Sequence, residues 1–261
     1  MNAIVQPDRL GAVPIESSEP ILAVKDLHVR FGDVVAIDSL SLTVRRGEFV
    51  SLLGPSGCGK STLLKAIARL VKPAGGRIVR PYADMRTGFM FQKPLLLPWR
   101  TTLDNVLLPV EIQRGGNINA GERRNALRML ELVRLSEFAG AYPHQLSGGM
   151  QQRAALARAL MCDPDVLLLD EPFGALDELT RDVLNEEMIR IWRSRETRLS
   201  TVLMVTHSIP EAVTMSDRVI VLSARPARMI EDVEVPCPRP RLPEDADTAA
   251  VIRRVRTMVR A

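Results

Sequence analysis

Along the chain the apolar positions change period several times, and each change predicts an element. In LHVRF and LSLTV every second residue is apolar, so Leu27, Val29 and Phe31, then Leu40, Leu42 and Val44, share a face. Such alternation predicts strands of an antiparallel sheet with one wetted side. FVSLLG is a more continuously apolar strand. From Lys60 to about Leu70 the spacing turns helical, with Leu63, Leu64 and Ile67 on one side. GGRIV and TGFMFQ predict two further strands. From about Thr101 to Met161 the pattern is mostly helical, with no obvious strand. Then VLLLD, a helix from about Leu179 to Ser194, TVLMVTH, a short helix and RVIVLS follow in turn. Strands alternating with helices predict a mainly parallel sheet of the α/β class. The helical block, about residues 93–165, is expected as an insertion packed beside that sheet.

The two ends break the pattern. Residues 1–20 are rich in Pro, Ser and Glu and are expected to form a flexible leader, so the main domain spans residues 21–223. The extension over residues 224–261 holds Pro226, Pro236, Pro238, Pro240 and Pro243, and is expected to lie along the surface. Its last stretch, TAAVIRRVRTMVRA, suits a basic helix. There is no internal repeat.

Composition narrows the class. Of 261 residues, 46% are hydrophobic and 25% charged, an ordinary soluble balance with enough chain for a sizeable core. A net charge of +4 is too mild to argue for nucleic acid, and 4% aromatics leave little for base-stacking platforms. No apolar run approaches the roughly 18 residues of a membrane span, so a membrane role must come through a partner. Cys58, Cys162 and Cys237 lack metal-ligand or disulfide-like spacing, which fits a reducing cytoplasm.

Three stretches carry chemistry. GPSGCGKST comprises Gly54, Pro55, Ser56, Gly57, Cys58, Gly59, Lys60, Ser61 and Thr62, and lies between a strand and a helix. That is the phosphate-loop pattern in its required context. The glycines allow a tight turn whose N–H groups point inward, Lys60 reaches the β- and γ-phosphates, and Ser61 offers a hydroxyl to Mg²⁺. VLLLDE ends an apolar strand in two carboxylates. Side chains alternate along a strand, so the two need not share a task. Asp170 suits Mg²⁺ held through water, and Glu171 suits a general base polarising the attacking water. LSGGMQQR, beginning at Leu146, opens a second helix with Ser147, Gly148 and Gly149. Ser147 is a good N-cap, and such a helix start also suits an anion.

Taken in order, GPSGCGKST, LSGGMQQR and VLLLDEPFGALD resemble the ATP-binding subunit of an ABC transporter. The resemblance covers about residues 21–223. It implies a RecA-like phosphate-loop ATPase core, an antiparallel β subdomain and an inserted α-helical subdomain, with ATP and Mg²⁺ as cofactors. It also implies a head-to-tail dimer with a second copy of the chain. Ser147, Gly148, Gly149, Gln151 and Asp177 would then serve the ATP held by the opposite subunit. Within one chain it assigns Gln92 to Mg²⁺ and the attacking water, His207 to the γ-phosphate and Phe31 to the face of adenine. Ser208 stands where the family commonly has an acidic residue, and Trp99 falls where it either lines the groove for a coupling helix or packs the subdomain.

FQKPLLLPW together with VTHSIPEAV looks most like the nitrate/sulfonate/taurine importer group, which also includes importers of vitamin precursors. The partners implied are two transmembrane permease subunits and, indirectly, an extracytoplasmic solute-binding protein, without nucleic acid. The implied location is the cytoplasmic face of the inner membrane. The rival is a soluble ABC-type ATPase of cluster assembly. DNA-repair relatives would need long coiled coils between the nucleotide motifs, and translation-factor relatives a second cassette; neither is present.

Overall fold

The computed structural model describes residues 19–82, 84–194 and 196–260. Nearly all of the expected leader therefore lies outside the described residues. The chain begins with two long strands, β1 (Pro20–Phe31) and β2 (Val34–Arg45), which pair antiparallel. Next come β3 (Phe49–Leu53), helix α1 (Lys60–Ile67), β4 (Gly75–Val79) and β5 (Thr87–Met90). β4 joins β1, giving a three-stranded antiparallel sheet in the order β2-β1-β4. The helical block supplies α2 (Thr102–Gln113), α3 (Ala120–Leu132) and α4 (Gly148–Leu160). The chain then alternates β6 (Val166–Asp170), α5 (Glu178–Arg193), β7 (Thr201–Thr206), α6 (Ile209–Met215) and β8 (Arg218–Leu222). It closes with β9 (Met229–Glu234) and α7 (Ala246–Arg260). The main sheet runs β5-β6-β7-β3-β8-β9, parallel except for β9.

The parallel strands separate two cores. Along β6, Leu167 and Leu169 face the helical block while Val166 and Leu168 face α1 and the antiparallel sheet. β7 divides in the same way, with Val202 and Met204 on one side and Leu203 and Val205 on the other. Period-two side chains on a doubly covered strand produce this, and it explains why these strands are apolar throughout.

Three expectations need correction. Phe31 does not share the buried face of Leu27 and Val29: it is 53% exposed. Register shifts between Leu27 and Val29 and between Val29 and Arg30 re-aim the end of β1. α1 stops at Ile67, short of Leu70. Arg69 takes φ +62°, and the Arg69 and Leu70 N–H groups close onto Ala66 O and Lys65 O. That is a Schellman closure made by arginine where glycine is usual, so no stop signal was visible. Finally, the extension is not a surface strap. β9 pairs antiparallel with β8, and Val233, Val235, Cys237, Ile252 and Val255 form a third core with α6 and β8. Arg241 fastens it from within, donating to the carbonyls of Cys237, Val213, Ser216 and Val235; burial pushes its pKa down to about 10. The basic helix is present as α7, with Arg253, Arg254 and Arg256 exposed.

Candidate functional site

At the C-terminal edge of the parallel strands the chain leaves a cleft of about 390 Å³. It is lined by Phe31 and Val34 from the antiparallel sheet, by phosphate-loop residues Ser56, Gly57, Gly59, Lys60, Ser61 and Thr62, and by Gln92, Glu171 and Arg225. Ala36 completes the wall.

The loop's shape comes from its glycines. Gly57 and Gly59 hold φ +74° and +129°, which a Cβ disfavours. At Gly59 space also forbids a side chain, since a Cβ would stand 2.7 Å from Ala36 O. Gly59 is the N-cap of α1, and no side chain bonds to that helix start, which leaves it for an anion. Lys60 is buried, and its ammonium donates to Gly54 O and Pro55 O at 2.7 and 2.9 Å. Cys58 is buried and free, a small residue fitted into the turn.

Asp170 ends β6, Glu171 follows it, and the two carboxylates diverge. Asp170 accepts from Ser61 Oγ at 2.6 Å. Burial pushes its carboxyl pKa above the usual range, with the Ser61 bond opposing. Glu171 turns away at φ +46°, an unusual backbone for a residue with a side chain, while its N–H is held by Val205 O at 3.0 Å. Its Oε2 lies 3.2 Å from Gln92 Nε2 and 3.3 Å from His207 Nδ1. Gln92 lies just past the end of β5 and His207 just past the end of β7. Three neighbouring strands of the sheet thus deliver three polar side chains to one point.

The other expected residues lie elsewhere. Ser147 and Gly148 are exposed at the start of α4, and neither they nor Gly149 line the cleft. Gln151 is engaged within its own loop, donating to Pro143 O and Leu146 O at 3.0 and 3.2 Å. Asp177 caps α5 by accepting from Thr180 N–H at 3.0 Å, a bond that holds its carboxyl below the usual range. Trp99 is 70% exposed beside the exposed Leu95.

Sequence reasoning missed Arg225, Gln152 and Arg158. Gln152 donates to Gln92 O at 3.0 Å, and Arg158 grips Pro94 O and Leu95 O at 2.6 and 2.8 Å. α4 therefore holds the Gln92 segment from its middle and presents Ser147 at its tip. These pairings span about sixty residues and leave no local trace. Among the described residues no group of three or more His, Cys, Asp or Glu could hold a metal by itself.

A parallel sheet whose strand ends carry a phosphate loop, a buried lysine and two diverging carboxylates defines a phosphate-loop ATPase. The family is narrower. Residues 37–174 match the ABC transporter family model, and the chain belongs to that family. It is 45% identical over 232 residues to an aliphatic sulfonates import ATP-binding protein of Mesorhizobium japonicum, covering 87% of this chain and 84% of the relative. It is 43% identical over 231 residues to a taurine import ATP-binding protein of Rhizobium johnstonii, covering 85% of each. Among solved structures it resembles a dimeric ABC transporter cassette, MJ0796, at 33% identity and TM-score 0.70, over 83% of this chain and 99% of that one. The same cassette in a post-hydrolysis state bound to ADP and Pi gives 32% identity and TM-score 0.69, again over 83% and 99%. The chain is an ATP-binding, ATP-hydrolysing cassette with the three-part architecture expected from its motifs.

Proposed function

We propose that this chain is the ATP-hydrolysing subunit of an importer for a small anionic or zwitterionic solute of the sulfonate, taurine or nitrate kind. Adenine lies on the exposed face of Phe31. The phosphates sit in the loop, where Lys60 leaves the carbonyls of Gly54 and Pro55 for the β- and γ-phosphates. Mg²⁺ fits the paired oxygens of Ser61 and Asp170, because a cation there stabilises the charge that burial of Asp170 disfavours. Gln92 would complete that set. When bound, the ion supplies charge neutralisation on the phosphate oxygens. Glu171 is the general base: Gln92 and His207 both hold Oε2, so the carboxylate is oriented with Oε1 available to accept the proton of water. His207 also faces the departing phosphate.

The observation that carries the dimer is that the signature does not line its own cleft. Each site lacks a lid on the γ-phosphate side, and a second copy in head-to-tail arrangement brings Ser147, Gly148, Gly149 and Asp177 over it. Binding ATP then favours the closed pair, and hydrolysis removes that preference. Exposed Trp99 and Leu95, on the segment gripped by α4, offer the contact for a membrane permease subunit at the cytoplasmic face. Movement there reaches Gln92 and Ser147 through one helix.

Mixing two inactive variants tests the shared site. Lys60→Ala spoils a chain's own phosphate loop, and Ser147→Arg spoils the lid it lends. In a mixed dimer both lesions fall on one site and the other site is intact. ATPase activity should rise at intermediate mixing ratios. A flat profile, with no ATP trapped in the mixed dimer, would refute the shared site.

A further inference from the structure

The segment after β8 turns back across the outside of the phosphate loop. Ala227 donates its N–H to Ala36 O at 3.0 Å and accepts from Asp38 N–H at 3.2 Å, so the turn is sewn to β2. Ser223 Oγ stiffens it, bonding Arg228 N–H and Pro226 O at 3.0 Å each. The space beside Gly59 is closed by this turn as well as by β2, for a Cβ there would stand 3.2 Å from Ala227 Cβ. From the same turn Arg225 reaches the loop itself. Its Nε and Nη2 both donate to Gly57 O, at 3.0 and 2.7 Å.

The Gly57 carbonyl and the Cys58 N–H belong to one peptide plane and point in opposite directions. Drawing the carbonyl outward onto the guanidinium turns the N–H inward, where it aims at Pro55 O across the loop at 3.3 Å. That bond closes the turn from which the loop's remaining N–H groups face the phosphates. Gly57 sits at φ +74°, and glycine leaves any one conformation easily. A rigid two-donor fork fixes the direction of a carbonyl; an ammonium does not.

We propose that Arg225 is a positioning residue of the nucleotide site, a brace on Gly57 that keeps the phosphate loop in its phosphate-binding form. The inference rests on the loop being the ATP site. The brace comes from the turn after β8, outside residues 37–174, which match the family model.

The test is binding of a fluorescent ATP analogue, with wild type measured first; no binding by wild type defeats the ATP reading itself and not the brace. Arg225→Ala should weaken ATP and ADP about tenfold, the scale of a lost charge-assisted bond. KM for ATP should rise by a similar factor, more than kcat falls. Adenosine, which carries no phosphate, should compete as it does with wild type. Arg225→Lys should still lose roughly threefold, since it keeps the charge without the fork. Arg228→Ala removes a charge from the same turn, but Arg228 pairs with Asp38, so ATP affinity should be retained. Wild-type affinity in Arg225→Ala, an equal loss in Arg228→Ala, or an equal loss for adenosine would each overturn the proposal. Should Arg225→Ala fail to fold, Arg225→Lys decides alone, and wild-type affinity in it would be fatal.

Discussion

Two helices of this chain begin in glycine-bearing loops, and the loops are built in opposite ways. At α1 the cap is Gly59, no side chain bonds to the helix start, and two glycines hold positive φ. At α4 the cap is Ser147, which takes the Met150 N–H at 3.3 Å, and neither following glycine holds positive φ. The second pair of glycines serves approach. A Cβ on Gly149 would stand 2.9 Å from Thr180 Cγ2 and one on Gly148 would stand 3.4 Å from Leu176 Cδ2, so their absence lets α5 and the Asp177 turn come close. The first loop is a cradle whose lining comes from its own chain. The second satisfies its own helix and leaves Ser147 and Gly148 exposed, which fits the proposed role of a surface lent to another molecule's site. Likeness in sequence, a glycine-rich helix start, hides a difference in build: glycine for conformation at α1, glycine for close approach at α4.

Breaking the chemistry at the first loop should give the largest effect. Glu171→Gln keeps the shape and loses the proton acceptor. Turnover should fall by about 10²-fold or more with ATP still bound. Light scattering should then show ATP-held dimers, and near-normal turnover would place the base elsewhere. Lys60→Ala is next. Losing a charge contact to two phosphates should weaken ATP binding by at least roughly tenfold, read by equilibrium titration.

The comparison itself is sharpened by one pair of glycine substitutions. Gly59→Ala meets a carbonyl at 2.7 Å and a forbidden φ, so the isolated chain should lose ATP affinity outright. Gly149→Ala meets only a side-chain methyl. It should bind ATP as wild type does when dilute and monomeric, and lose turnover only where dimers form. Equal loss of monomer affinity in both would erase the distinction drawn here. The smallest effect is Ser147→Ala: losing the cap should lower apo stability by about 1 kcal/mol in urea unfolding, without changing monomer affinity for ATP.

Much of the scaffold was legible because burial writes a period. Leu63, Leu64 and Ile67 announced α1, and the apolar runs of β3, β6 and β7 announced buried strands. What failed did so where the pattern stayed silent. Alternation in β1 placed Phe31 inward, since a bulge leaves no mark on hydrophobicity. Arg69 ended a helix in a conformation that sequence rules reserve for glycine. β9 was overlooked because an edge strand with one buried residue, Val233, lacks alternation, and the surrounding prolines argued against it.

Covalent order alone marks the residues proposed for phosphate chemistry: a lysine after glycines, a serine after the lysine, and carboxylates at the end of an apolar strand. These are local facts, set by covalent order and by the few shapes a backbone can take. Which of them meet was settled by the packing of distant segments. Gln92, Glu171 and His207 converge because β5, β6 and β7 are neighbours in the sheet, though their order in the chain is interrupted by whole helices. Arg225 reaches Gly57 across 168 residues because β8 and β3 pair side by side. Contacts of that kind are fixed by burying the strands between two cores, and the strand order that results is written in no single segment of the chain.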